Sequence, residues 1–161
     1  MTGTPGQVVR DGAGARLEFR REFAQPVRTV WAALTEPERL ARWFGTWTGE
    51  PVVGGTVDLV MLDEGEVRPS PVTILACEPP HRLAVEWGGP GPMTWHIEVT
   101  LDGGGGPTTL EFVQPLPSPA TAEELGPGWH YYLDRLAASL SGKPMPDWDD
   151  YHPALADAYR V

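Results

Sequence analysis

Seven tryptophans, Trp31, Trp43, Trp47, Trp87, Trp95, Trp129 and Trp148, are many for a chain of 161 residues. An indole offers a broad apolar wall and a single N–H donor, which suits it to holding an apolar ligand and fixing one polar atom of it. Any one of them can equally be core packing. Titratable candidates are fewer. His96 and His130 are the first choices for moving a proton, and Tyr131 stands beside the second. By alternation His96 falls on the polar face of its strand. His130 precedes a helix expected to line a cavity but is off that helix's apolar stripe. His81, in a Pro-rich turn, and His152, near the end, are weaker candidates.

Several chemistries lack their residues. No HExxH, no CxxC and no close His/Asp/Glu set at ligand spacing occurs, so no metal is expected. Asp147, Asp149 and Asp150 are interleaved with Trp148 and do not match a calcium loop. Cys77 has Glu78 beside it, a carboxylate that disfavours the thiolate, and no GxSxG elbow is present. The run Gly103 to Gly106 lies between two strands, which makes it a turn and not a phosphate cradle. Nothing in the residues requires a cofactor. Arg21 is the odd charge, on the apolar side of its strand between Phe19 and Phe23. An inward Arg needs a bound carboxylate or an acidic side chain. The preferred reading sets it at a sheet edge with its head in solvent.

A formal charge of −10, from 12 basic and 22 acidic side chains, leaves no positive face for a nucleic acid or an anionic membrane. No apolar run is long enough to insert in a bilayer. One cysteine excludes an intramolecular disulfide, and the polar N-terminal stretch is not a signal peptide. A cytoplasmic location is expected.

The elements that must position these residues follow from periodicity. Residues 1–15 read as a flexible leader, 16–142 as the folded body and 143–161 as a tail packed on the domain or on a second copy. From Arg16 to Phe23 charged and apolar residues alternate, which makes a half-buried strand. Val27, Val30, Trp31 and Leu34 have helical spacing, and Thr35 with Glu38 suggests a capping box opening a second short helix that ends at Gly45. Period two then returns through Val57–Met61, Val72–Ala76, Leu83–Trp87, Met93–Leu101 and Thr108–Gln114. Turns are expected at Asp63–Gly65 and Gly103–Gly106, and a loop at Gly88–Pro92. Trp87 and Trp95 flank that loop and can pair across it. Gly126-Pro127-Gly128 is expected to break any helix begun at Thr121. The longest helix then carries Trp129, Tyr132, Leu133, Leu136 and Leu140 up to Gly142. The fold class is therefore α+β: a curved antiparallel sheet of about six strands wrapped around a long C-terminal helix, with two short helices after the first strand.

Two segments carry a family resemblance. Ala24-Gln25-Pro26 through Val30-Trp31, with Leu34-Thr35-Glu36-Pro37 and Leu40-Ala41-Arg42-Trp43-Phe44, resembles the opening of the START/Bet v 1-like (SRPBCC) superfamily. Within it, the branch named after the C-terminal domain of the activator of Hsp90 ATPase is the most similar. Gly128-Trp129-His130-Tyr131-Tyr132-Leu133-Asp134-Arg135-Leu136 resembles that branch's C-terminal helix. The resemblance implies the helix-grip fold with an apolar cavity. It also implies lipid, sterol, polyketide or hormone binding, with some members cyclases or hydroxylase components.

The preferred function is binding of a small hydrophobic or amphipathic molecule between sheet and C-terminal helix. Trp31, Phe44, Trp47, Met61, Trp87, Trp95, Phe112, Trp129 and Leu133 are the expected wall, and His130, Tyr131 and Arg21 the possible polar groups. No residue is assigned a catalytic role. One alternative is a cyclase- or hydratase-like enzyme using the same cavity, with His130 and Tyr131 as first suspects. Another is a co-chaperone-like protein-interaction domain, which would expose an apolar patch. A homodimer is the remaining partner considered.

Overall fold

The computed structural model describes residues 6–12, 14–50, 52–61, 70–88, 95–151 and 155–159. The turn expected at Asp63–Gly65, most of the loop after Gly88, Met93 and His152 lie outside them. So does the side chain of Met61.

Eight strands form one antiparallel sheet in the order β1-β2-β8-β7-β6-β5-β4-β3. They are β1 (Gln7–Asp11), β2 (Gly14–Phe23), β3 (Gly45–Thr48), β4 (Thr56–Met61), β5 (Ser70–Glu78), β6 (Arg82–Trp87), β7 (Trp95–Asp102) and β8 (Thr108–Leu116). The helices are α1 (Val27–Thr35), α2 (Pro37–Leu40) and α3 (Pro119–Ser141). This is the helix-grip class, with a curved, open sheet. The expected count of about six strands falls short by β1 and β3. Both are short, and Gln7–Asp11 has two adjacent valines instead of an alternation. It becomes a strand only by pairing with β2, from Gln7 opposite Glu18 to Asp11 opposite Gly14. The expected flexible leader thus contains a strand.

The burial of β2 has period two: Ala15, Leu17, Phe19, Arg21 and Phe23 are buried. β8 runs beside it from Ala15 opposite Leu116 to Phe23 opposite Thr108. Between Ile74 and Ala76 the β5–β6 register shifts, and the extra residue, Leu75, turns outward.

Three helical details differ from the sequence reading. Thr35 does not cap α2; its hydroxyl donates to the Trp31 carbonyl one turn back, and Glu36 is the N-cap. Thr121 does not open α3 either, since the helix starts at Pro119 behind Ser118. Most notably, α3 runs unbroken through Gly126-Pro127-Gly128 for 23 residues. Pro127 cannot donate to the carbonyl four residues before it, a cost of roughly 3 kcal/mol in an isolated helix. Burial of Ala122, Gly126, Pro127, Trp129 and Leu133 offsets it. Gly142, in the left-handed conformation at φ 69°, ends the helix.

The tail returns to the domain. Short 3-10 turns cover Trp148–Asp150 and Ala156–Tyr159, and the Tyr151 and Tyr159 rings are fully buried. A Cβ at Gly126 would lie 2.3 to 2.7 Å from the Tyr159 ring, so only glycine there lets the ring seat against the helix. Among the described residues no helix is long and apolar enough to cross a membrane.

Candidate functional site

The two sides of α3 differ in chemistry. Helical spacing sends Trp129 and Leu133 one way, into the concave face of the sheet, and His130 and Asp134 the other way, toward the tail.

On the sheet side lies a cavity of about 500 Å³. Inward residues of the middle strands form its floor: Val57 and Leu59 of β4, Val72 and Ile74 of β5, Val85 of β6, and Ile97 and Val99 of β7. Leu110 and Phe112 of β8 continue it, and Trp129 and Leu133 of α3 close the top. At the end formed by the short helices stand Trp31, Leu40, Trp43, Phe44 and Trp47. The aromatic side chains support one another. Phe44 stacks on Trp129 with centroids 5.7 Å apart, and Trp129 leans on Phe112 at 4.7 Å. Trp87 meets Phe44 edge-on at 5.6 Å and Trp95 edge-on at 5.4 Å, directly across the β6–β7 pair.

Three indole N–H groups of this wall are taken up by protein acceptors. Trp43 donates to the Ala33 carbonyl, Trp47 to the Thr35 carbonyl and Trp129 to Gln114 Oε1, each at 2.8 to 3.1 Å. Gln114 sits inward on β8 in alternation with Leu110 and Phe112, a polar residue at a core position that accepts the indole hydrogen bond. Cys77 and Glu36 are the ionisable side chains among the described lining. Glu36 is exposed and paired with Arg39 at 3.2 Å, which puts it at the rim.

Of the expected wall, Trp31, Phe44, Trp47, Trp87, Phe112, Trp129 and Leu133 line this cavity. Trp95 is absent from its lining and instead backs Trp87. The expected polar groups lie elsewhere. His130 has no exposed surface and faces the tail, Tyr131 packs against Trp148 and Tyr151, and Arg21 sits under the opposite side of α3. His96 is exposed, and His81 Nδ1 is 2.9 Å from the Leu101 carbonyl oxygen.

Behind the helix Arg21 and His130 join a polar cluster with Asp134, Tyr151 and Tyr159. Arg21 is buried, not at a solvated edge; its Nη1 donates to Asp134 Oδ1. The other oxygen, Oδ2, accepts from the Tyr151 hydroxyl at 2.6 Å and lies 3.7 Å from His130 Nε2. Tyr159 accepts from the Gly6 amide at 2.9 Å, and its hydroxyl is 3.0 Å from His130 Nδ1. Burial pushes the Tyr159 phenol up to about 12. Burial first, and then the bond to Asp134, raise Tyr151 as well. His130 is sealed, while Arg21, Asp134 and Tyr151 border a groove of about 1330 Å³. The effect of the cluster is to tie strand β2, helix α3, the tail and Gly6, just before β1, together.

Sequence reasoning missed Asp134, Gln114 and Tyr159. Asp134 was readable as the partner of an inward Arg21, one turn after His130 on the same helical face. Gln114 was readable from its place in the β8 alternation. Tyr159 carried no such signal. Among the described residues no group of three or more His, Cys, Asp or Glu could hold a metal.

The model of the family "Activator of Hsp90 ATPase homolog 1-like protein" matches residues 24–141. No curated protein matches the chain. Among solved structures, CalU16 from Micromonospora echinospora is similar over 96% of this chain and 94% of its own, with 27% identity and a TM-score of 0.76. The protein encoded by gene BPP1335 of Bordetella parapertussis is similar over 93% and 86%, with 27% identity and a TM-score of 0.75. DynU16, a protein in the dynemicin biosynthetic locus, matches 82% of this chain at 30% identity and a TM-score of 0.69. This chain covers 49% of that protein. The family match spans most of the chain and the neighbours share its whole fold, so the chain belongs to the activator of Hsp90 ATPase homolog 1-like family of the SRPBCC superfamily.

Proposed function

We propose that this protein binds a small apolar or amphipathic molecule in the cavity between the sheet and α3. One observation carries the reading: a space of about 500 Å³ whose wall is aromatic and aliphatic, with three indole N–H groups already committed to protein acceptors. That volume falls in the range of sites that enclose drug-sized ligands, roughly 300 to 1,000 Å³. The lining offers a buried ligand dispersion and area burial but almost no hydrogen bonds, so the enclosed part of the ligand is hydrocarbon or aromatic ring. A polar end would sit toward Glu36 and Thr35.

The same observation disfavours the cyclase- or hydratase-like reading. A general acid or base must lie within hydrogen-bond reach of the reacting atom. His130 and Tyr131 are turned from the cavity, and the described lining has no histidine or tyrosine. The similarity to a protein in the dynemicin biosynthetic locus is in keeping with a small-molecule ligand.

Mass spectrometry of the native protein, followed by extraction, tests the proposal. A stoichiometric apolar compound released on unfolding is expected. A protein that is empty and does not respond to a panel of lipids and fused-ring compounds would overturn it.

A further inference from the structure

We propose that the ligand of the cavity is an amphipathic amine, its apolar body enclosed and its ammonium group at the corner formed by Trp31, Thr35, Glu36 and Trp47. The inference rests on the cavity being a binding site and adds the charge of what it binds. Three features of this corner favour a cation. Glu36 carries the one charge among the described lining residues, and its Oε1 takes Arg39 at 3.2 Å, which leaves Oε2 to a ligand. Helix α1 ends at Thr35 with no basic residue in its last turn, so the negative end of its dipole meets the rim without a cation of its own. The third feature is aromatic. Trp31 lies one turn before Thr35, whose hydroxyl donates to its carbonyl at 2.8 Å, and Trp47 donates to the Thr35 carbonyl at 3.1 Å. Both indoles are half-buried lining residues, and an indole face attracts a cation.

A carboxylate has the reverse fit. An anion withdrawn from water needs a cation beside it, and the described lining has no Arg, Lys or His. The arginines next to lining residues are held by protein acceptors: Arg39 by Glu36, Arg82 by Glu78 and Glu98, and Arg135 by the Trp43 carbonyl and the Tyr131 hydroxyl. Arg42, beside Trp43 in the chain, is exposed and outside the described lining. In the sequence, the stretch joining β4 to β5 carries Asp63, Glu64 and Glu66 against Arg68, and the stretch joining β6 to β7 carries no charge. The balance around the cavity is therefore acidic, which sets a basic nitrogen above a fatty-acid carboxylate as the polar end of the ligand.

The test is a fluorescence titration of the full-length protein, near neutral pH, with three anthracenes. They carry an aminomethyl, a hydroxymethyl or a carboxymethyl group at the same ring carbon, and energy transfer from the lining tryptophans reads their binding. The amine is expected to bind about fivefold tighter than the alcohol, and the carboxylate about fivefold weaker than the alcohol. Glu36→Gln changes an exposed side chain that makes no cap bond. It should weaken the amine about threefold and leave the alcohol unchanged. Amine and alcohol bound equally by the parent protein, or a carboxylate bound as tightly as the alcohol, would overturn the proposal and leave the cavity reading standing. So would an amine that binds the Glu36→Gln variant unchanged. Failure of all three to bind the folded protein would overturn the cavity reading and this inference with it.

Discussion

Asp134 holds three elements with two oxygens. One takes the Arg21 guanidinium of β2 and the other the Tyr151 hydroxyl of the tail, with His130 of its own helix close by. The Arg21–Asp134 pair is buried on both sides, so removing one partner strands the other charge in a poorly solvated place. Asp134→Ala is expected to cost about 3 to 5 kcal/mol in denaturant unfolding, and a loss under about 1 kcal/mol would contradict this role. Tyr159→Phe leaves the Gly6 amide and His130 Nδ1 without the hydroxyl, a cost of about 1 to 3 kcal/mol. The same phenol predicts an alkaline limit. The folded state holds the Tyr159 proton more tightly than the unfolded chain, up to about 12 against an ordinary value of about 10. That contribution is complete below about pH 10 and is lost as pH climbs toward 12. Unfolding free energy measured across this window should fall, and less steeply in Tyr159→Phe; an equal slope in both proteins would remove Tyr159 as a cause.

At the scale of elements, α3 depends on a glycine for its partner and not for its own shape. Gly126→Ala places a methyl within 2.3 to 2.7 Å of the Tyr159 ring, so the tail must move away. The expected loss is about 1 to 3 kcal/mol, with faster proteolysis after residue 142 than in the parent protein. A stabilised variant with an unchanged tail would refute the socket. The Gly126-Pro127-Gly128 run also shows where local reading fails. Gly and Pro are breakers in an isolated helix, but here Tyr159 of the tail packs on Gly126, and the burial of Gly126 and Pro127 outweighs the local cost. The long strands were readable because each has one wet and one buried face, as in β2 and β8. β1 and β3 were not, since four or five residues carry too little alternation. Most of the aromatic lining was readable from spacing and strand parity, as was the Trp87–Trp95 pair behind it. The placement of His130 and Arg21 was not, because it depends on Tyr151 and Tyr159, which reach them from the far end of the chain.

Across the whole molecule, α3 divides an apolar space from a polar lock. Sheet and helix leave the space open to a ligand, while the lock fixes the helix over it through β2, the tail and Gly6. This arrangement explains why five cavity-lining tryptophans and one buried charge cluster occur in one small domain without sharing a site. The proposed role of this space is to bind a ligand. Titration with 1-aminoanthracene, a planar apolar fluorophore, reads this directly through energy transfer from the tryptophans of the wall. Val85 lines the cavity, so Val85→Trp would fill it. Saturable binding by the parent protein is expected, with at least tenfold weaker binding by a folded Val85→Trp variant, a loss of about 1.4 kcal/mol or more. Absence of saturation in the folded parent, or equal binding by both proteins, would contradict it.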